Sequence, residues 1–168
     1  VQGKTAWILK GDVRPAESPL SEELARKKII EAATEFIGDP YFWGGRSANC
    51  PELPDQIRAV DCSGLVNLSY RVAGLAVPRD SYEQFLKSRK IKREDLKTAD
   101  LIFSASRDKP DQVSHVAIFL DDKTLIEAPK TGEKVRKIGF EEKYGMPFEQ
   151  MQEGNAVRDR IVYFGTYF

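Results

Sequence analysis

The stretch AVDCSGLVNLSYRV, residues 59–72, decides how this chain is read. An aspartate, a cysteine and a serine stand where an apolar run with helical spacing begins. Leu65, Val66, Ser69, Val72 and Ala73 share a helix face with Cys62, and Gly74 supplies the stop. Cys62 therefore sits in a first turn, where unpaired backbone N–H groups and the positive end of the helix dipole favour an anion. A thiol placed there is biased toward thiolate. Two readings follow: a nucleophile, or the small buried apolar residue that free cysteine commonly is. The only histidine, His115, bears on the choice. It stands near the start of SHVAIFL (114–120), which alternates like a strand. A first-turn cysteine facing a strand-borne imidazole is the papain-like arrangement for activating a thiol.

Composition narrows the function classes. With 168 residues, 41% of them hydrophobic, the chain can bury one full core. Lys plus Arg and Asp plus Glu balance at 26 each, so no basic excess points to nucleic acid. No apolar run approaches the roughly 20 residues of a membrane span. The chain opens at Val1 without a secretory pattern and reads as a processed product or an excised domain. Two cysteines and one histidine are too few for a disulfide framework or a zinc site, and no metal or cofactor is expected.

The remaining segments set the fold class. GKTAWIL (3–9) alternates like one strand, and GDVRPAESP after it reads as a linker. Ser21 is a candidate N-cap for a helix whose apolar residues Leu24, Ile29, Ile30, Ala33 and Phe36-Ile37 recur until Gly38. Residues 40–60 are irregular and long for a passive connection, which predicts a functional loop. ADLIFSAS, SHVAIFL, TLIEAP and DRIVYFGTYF read as strands. Helices early and strands late predict an α+β fold, with N-terminal helices packed on an antiparallel sheet.

YFWGG (41–45), DCSGLV (61–66), PRDSYEQ (78–84), DLIF (100–103) and SHVAIFL resemble, in order and separation, the successive motifs of the NlpC/P60 cysteine peptidases. The likeness covers roughly residues 20–168, and five ordered motifs are far more specific than one. GKTAWIL with its linker resembles the last strand of a bacterial SH3-like domain, so residues 1–18 are expected to be the remnant of such a domain and 19–168 the catalytic domain. Within the family the likeness is to γ-D-glutamyl-L-diamino-acid endopeptidases, which implies a peptidoglycan-derived peptide with a free N-terminal L-Ala as substrate. It implies Cys62 as nucleophile, His115 as general base and a third polar residue to orient the imidazole. It further implies substrate contacts from Tyr41, Asp61 and Ser63, with Asp80 and Ser81 lining the same pocket. Asp61 has a competing role as helix cap, and Arg79 one as a tie between loops. The implied compartment is the cell envelope or periplasm, or the outside of the cell, with cytoplasmic muropeptide recycling left open. A thiol amidase or acyltransferase, and an inactive wall-peptide binder, are the other readings.

The third residue departs from the family's usual histidine, because the matching stretch reads LIEAP and offers Glu127. A carboxylate there accepts the imidazole Nδ1–H and stabilises the imidazolium; otherwise Glu127 is a solvent-facing strand residue. Alternation makes the choice geometric. A two-residue loop after SHVAIFL would turn Glu127 away from His115, whereas three residues, Asp121 to Lys123, pair Ala117 with Glu127 on the face of His115. An odd-length loop is therefore predicted, with Lys123 a poor fit for any positive φ. Cys50 is expected to be a free thiol in the long loop.

Overall fold

The structure, a computed structural model, describes residues 19–47 and 58–168. The readings of residues 1–18 and of Cys50 lie outside them. The first helix, α1 (Glu22–Thr34), starts at Ser21, whose hydroxyl accepts the N–H of Leu24. Its inward face is Ala25, Arg26, Ile29 and Ala33, while Leu24 and Ile37, expected in the core, are 41% exposed. Arg26 takes part of that face because its guanidinium reaches the Thr98 carbonyl and the buried Asp100 carboxylate. Strands β1 (Arg46–Ser47) and β2 (Ala59–Val60) form a short antiparallel pair at the roots of the long loop. They lead into α2 (Cys62–Val72), capped by Asp61. Cys62, Leu65, Val66, Ser69 and Ala73 are buried as the spacing predicts, whereas Val72 lies outside the core. Helix α3 (Ser81–Lys87) follows.

Six strands run β3-β9-β4-β5-β6-β7 in one antiparallel sheet, with the short β8 against β9. They are β3 (Arg89–Lys90), β4 (Leu101–Ser106), β5 (Val113–Phe119), β6 (Thr124–Glu127), β7 (Arg136–Gly139), β8 (Ala156–Val157) and β9 (Arg160–Thr166). The alternating side chains feed two cores. Leu101, Phe103, Val116, Ile118 and Ile126 pack on α1 and α2. Ile102, Ala117, Phe119, Leu125, Val162 and Phe164 face the other way, onto α4 (Phe140–Tyr144), Phe148 and Met151. Both faces are covered, so the central strands read as nearly continuous apolar runs.

The β5–β6 register is the predicted one. Ile118 pairs with Ile126 and Phe119 with Leu125, which extends to Ala117 opposite Glu127. The Leu120 N–H donates to the Thr124 carbonyl, so Asp121, Asp122 and Lys123 form the loop, and none of them takes a positive φ. Instead the Asp121 carboxylate accepts the N–H groups of Lys123 and Thr124 and the Thr124 hydroxyl, so a side chain closes the turn.

Candidate active site

Two motif glycines fix the entry to α2. Phe42 to Gly45 form a turn in which the Gly45 N–H donates to the Phe42 carbonyl, with Gly44 at φ +78°. A Cβ on Gly64 would lie 2.2 Å from the Gly45 carbonyl oxygen, so the turn and the first turn of α2 approach more closely than any side chain permits. The Gly45 carbonyl accepts the Asp61 N–H. Asp61 Oδ1 then accepts from the Gly64 N–H at 2.7 Å and from the Ser63 hydroxyl, and Oδ2 from the Gly44 N–H at 2.9 Å. Arg79 closes the arrangement with two donors to Asp61, at 2.7 and 3.0 Å, and one to the Ser63 hydroxyl. Asp61 thus acts as cap and as anchor for Arg79, and both of its oxygens are occupied.

Opposite Cys62, β5 carries a bulge. Ser104 pairs with His115 but Ala105 with Val113, so Ser114 is the extra residue and His115 is re-aimed at the strand's end. The His115 Nε2 lies 2.8 Å from Glu127 Oε2. The nitrogen bound to the carboxylate is therefore Nε2, and the expectation of Nδ1 is corrected. A histidine in a serine-protease triad meets its nucleophile through Nε2. With Nε2 on the carboxylate, Nδ1 is the ring nitrogen left to serve Cys62, and the two side chains act on each other's charge. The Val116 backbone N–H also favours the thiolate form of Cys62.

The charges are mutually consistent. Burial pushes the Cys62 thiol up, but the hydrogen bond and charge of His115 outweigh it and leave the thiol below its usual value. Burial pushes His115 down, yet its bonds to Cys62 and Glu127 raise it. Burial would also raise Glu127, and the His115 hydrogen bond and the Lys143 charge hold it well below the carboxylate range instead. Glu127 is 0% exposed. Arg136, its direct cross-strand partner on β7, donates twice to Oε1, at 2.9 and 3.1 Å. Lys143 from α4 donates to Oε2. A buried carboxylate so surrounded stays ionised and holds its imidazole in one orientation.

Of the residues expected to touch substrate, Tyr41 lines the cavity of about 530 Å³ that Cys62 and His115 share. Its hydroxyl is pushed up to about 12, first by burial and then by the charges of Cys62 and Asp61, so it stays protonated. Asp61 and Ser63 lie buried in the Arg79 network. Asp80 and Ser81 do not line this cavity, contrary to the expectation. The chain is extended at Asp80, so with Arg79 turned inward the next side chain faces out. Arg136 and Lys143 went unread in the sequence. The run VRKI (135–138) does not alternate, so nothing in it marks a strand, and only the pairing of β7 with β6 brings Arg136 opposite Glu127.

The pattern of one family, NlpC/P60, matches residues 38–156. The chain belongs to the NlpC/P60 family. It is 29% identical over 153 residues to a γ-D-glutamyl-L-lysine dipeptidyl-peptidase of Bacillus cereus, covering 84% of this chain and 42% of that one. It is 35% identical over 116 residues to the peptidoglycan endopeptidase RipA of Mycobacterium tuberculosis, covering 67% and 24%. The chain thus spans less than half the length of these relatives. A solved structure of RipA, mutated at a glutamate, superposes with a TM-score of 0.63 at 27% identity, over 86% of this chain and 62% of that chain. Companion structures of RipA carry mutations at a cysteine and at a histidine. The glutamate lies twelve residues past the histidine, the separation of Glu127 from His115. A glutamate at this spacing in an NlpC/P60 domain is therefore not confined to this chain, and the α+β papain-like fold is shared.

Proposed function

We propose that this NlpC/P60 domain is a cysteine endopeptidase that hydrolyses the amide between γ-D-glutamate and a diamino acid in peptidoglycan-derived peptides with a free N-terminal L-Ala. The observation that carries the reading is the Cys62–His115–Glu127 line, with the 2.8 Å bond from the imidazole to an ionised, fully buried carboxylate. A binding domain has no need of a lowered thiol beside a raised imidazole. The names of the relatives support the bond and the wall as the setting, at the cell envelope or outside the cell.

In this mechanism the Cys62 thiolate attacks the γ-carbonyl carbon, forming a C–S bond while the carbonyl electron pair moves to oxygen. The Cys62 backbone N–H, in the first turn, and the protonated Tyr41 hydroxyl are the donors assigned to that oxyanion. As the intermediate collapses the C–N bond breaks, and the departing nitrogen takes the proton of the His115 imidazolium. Water then attacks the thioester, His115 takes its proton, and the C–S bond breaks to return the thiolate and a carboxylic acid. Glu127 stays ionised throughout and stabilises the imidazolium.

Mass spectrometry after incubation with L-Ala-γ-D-Glu-L-Lys and with the diaminopimelate tripeptide tests the reading. L-Ala-D-Glu plus the free diamino acid is the expected outcome, lost in Cys62→Ala. Saturable binding without a cut, or transfer of the acyl group to an added amine in place of water, overturns it.

A further inference from the structure

The cavity holding Cys62 and His115 extends along a wall built from the β8–β9 hairpin, Lys130, Glu133 and α4. Most of its charges are committed. Arg136 and Lys143 serve Glu127, and Glu133 takes Arg136 and Lys130. Glu142, an acid on α4, also lines the wall. Arg160 donates to the Ser114 hydroxyl at 3.2 Å, and its nearest carboxylate, the 85% exposed Asp159, is 3.8 Å away. Arg158 has no carboxylate partner among the described residues. One of its nitrogens donates to the Lys143 carbonyl at 3.0 Å, which leaves the rest of its donor fork.

The backbone singles out the same residue. Arg158 and Asp159 form the two-residue loop between the paired Val157 and Arg160, and Arg158 adopts φ +55°. Glycine takes that conformation freely, whereas a residue with a side chain is strained there. An arginine at this turn bears strain that a glycine would not, and it adds a guanidinium to the cavity wall.

The reaction gives that guanidinium a direction. The departing nitrogen takes its proton from His115, so the departing segment lies on the His115 side, where Arg160 meets Ser114 next to the histidine. We propose that Arg158, supported by Arg160, forms a leaving-side subsite that binds a carboxylate of the departing diamino acid. This rests on the hydrolysis proposed above. Two sources share the chemistry: the main-chain carboxylate of a terminal diamino acid, and the second carboxylate of a diaminopimelate side chain. The planar fork of arginine suits either, since it can hold both oxygens at once.

Arg158→Gly is the informative variant because it removes the guanidinium while relieving the turn. Steady-state hydrolysis is compared for wild type and Arg158→Gly on four peptides: L-Ala-γ-D-Glu-L-Lys as acid and as C-terminal amide, and the diaminopimelate tripeptide with its side-chain carboxyl free or amidated. Wild type should show a KM roughly 10- to 100-fold lower for the acid of at least one pair, the range of a charge-assisted hydrogen bond. The glycine variant should lose that preference, with kcat changed no more than a few-fold. The pair that responds identifies the source. Equal KM for acid and amide in wild type, or an equal loss on both in the variant, overturns the subsite and leaves Arg158 a structural residue. If wild type cuts none of them, the hydrolase reading falls, and calorimetric titration with the same peptides decides the subsite: acid-selective binding lost in Arg158→Gly supports it, and binding without selectivity, or no binding, overturns it.

Discussion

Replacing Glu127 by glutamine probes the charge that organises the site. The amide is nearly isosteric and its oxygen can still accept the His115 Nε2–H, now 2.8 Å from Glu127 Oε2, so the ring remains oriented. What disappears is the negative charge. For unit charges about 4 Å apart at an effective dielectric near 20, the interaction with an imidazolium is on the order of 4 kcal/mol. A charge-assisted hydrogen bond is worth about 1.5–3 kcal/mol. A loss near 3 kcal/mol corresponds to roughly 100-fold in kcat/KM. Glu127→Ala should lose about another tenfold, because it leaves no acceptor for the ring and a void beside Arg136 and Lys143. The pH profile of tripeptide hydrolysis carries a sharper signature. The Glu127 bond helps to raise His115, and His115 in turn lowers Cys62. In Glu127→Gln the imidazolium should therefore lose its proton at lower pH and the thiol should ionise at higher pH. The alkaline limb moves down, the acid limb moves up, and the bell narrows. Activity within threefold of wild type with both limbs unmoved would refute this account of the carboxylate.

Iodoacetamide at about pH 6 should alkylate Cys62 faster than a free cysteine, because the His115 bond lowers the thiol despite its burial; labelling no faster than free cysteine counts against the ion pair. Cys50→Ser should leave both labelling of Cys62 and turnover unchanged. Gly64→Ala should destabilise the fold by about 3 kcal/mol or more and abolish activity, since its Cβ would meet the Gly45 carbonyl oxygen at 2.2 Å and neither backbone can yield without moving the nucleophile; an unchanged denaturant midpoint would contradict that packing. Glu127 has a folded pKa below its unfolded value, so its contribution to stability is present above about pH 4.5 and is lost as pH falls below it. Chemical denaturation from neutral pH into that range should show a smaller decline for Glu127→Gln than for wild type, and parallel declines would exclude the carboxylate as a source of the acid sensitivity.

Much of this protein is legible without coordinates because its signals are local. Asp61 before an apolar stripe places Cys62 in a first turn, and the alternation of SHVAIFL and TLIEAP, joined by three residues, puts Glu127 on the face of His115. Capping acts over three residues and side-chain direction over two, so both survive in the bare sequence. Membership in the NlpC/P60 family follows from motifs of the same short range. The tertiary structure decided which charges meet. Leu24 and Val72 belong to apolar patterns yet point outward, since the neighbouring layer, not the helix, determines which part of a stripe is covered. Asp61 is held by Arg79, and Glu127 by Arg136 on the next strand and Lys143 on a helix sixteen residues away. Lysine and arginine are common at every exposed position, and nothing in their spacing marks the few that turn inward. Only the closing of β6, β7 and α4 around a buried carboxylate, where an unpaired charge is too costly to keep, selects those two from the 26 basic residues of the chain.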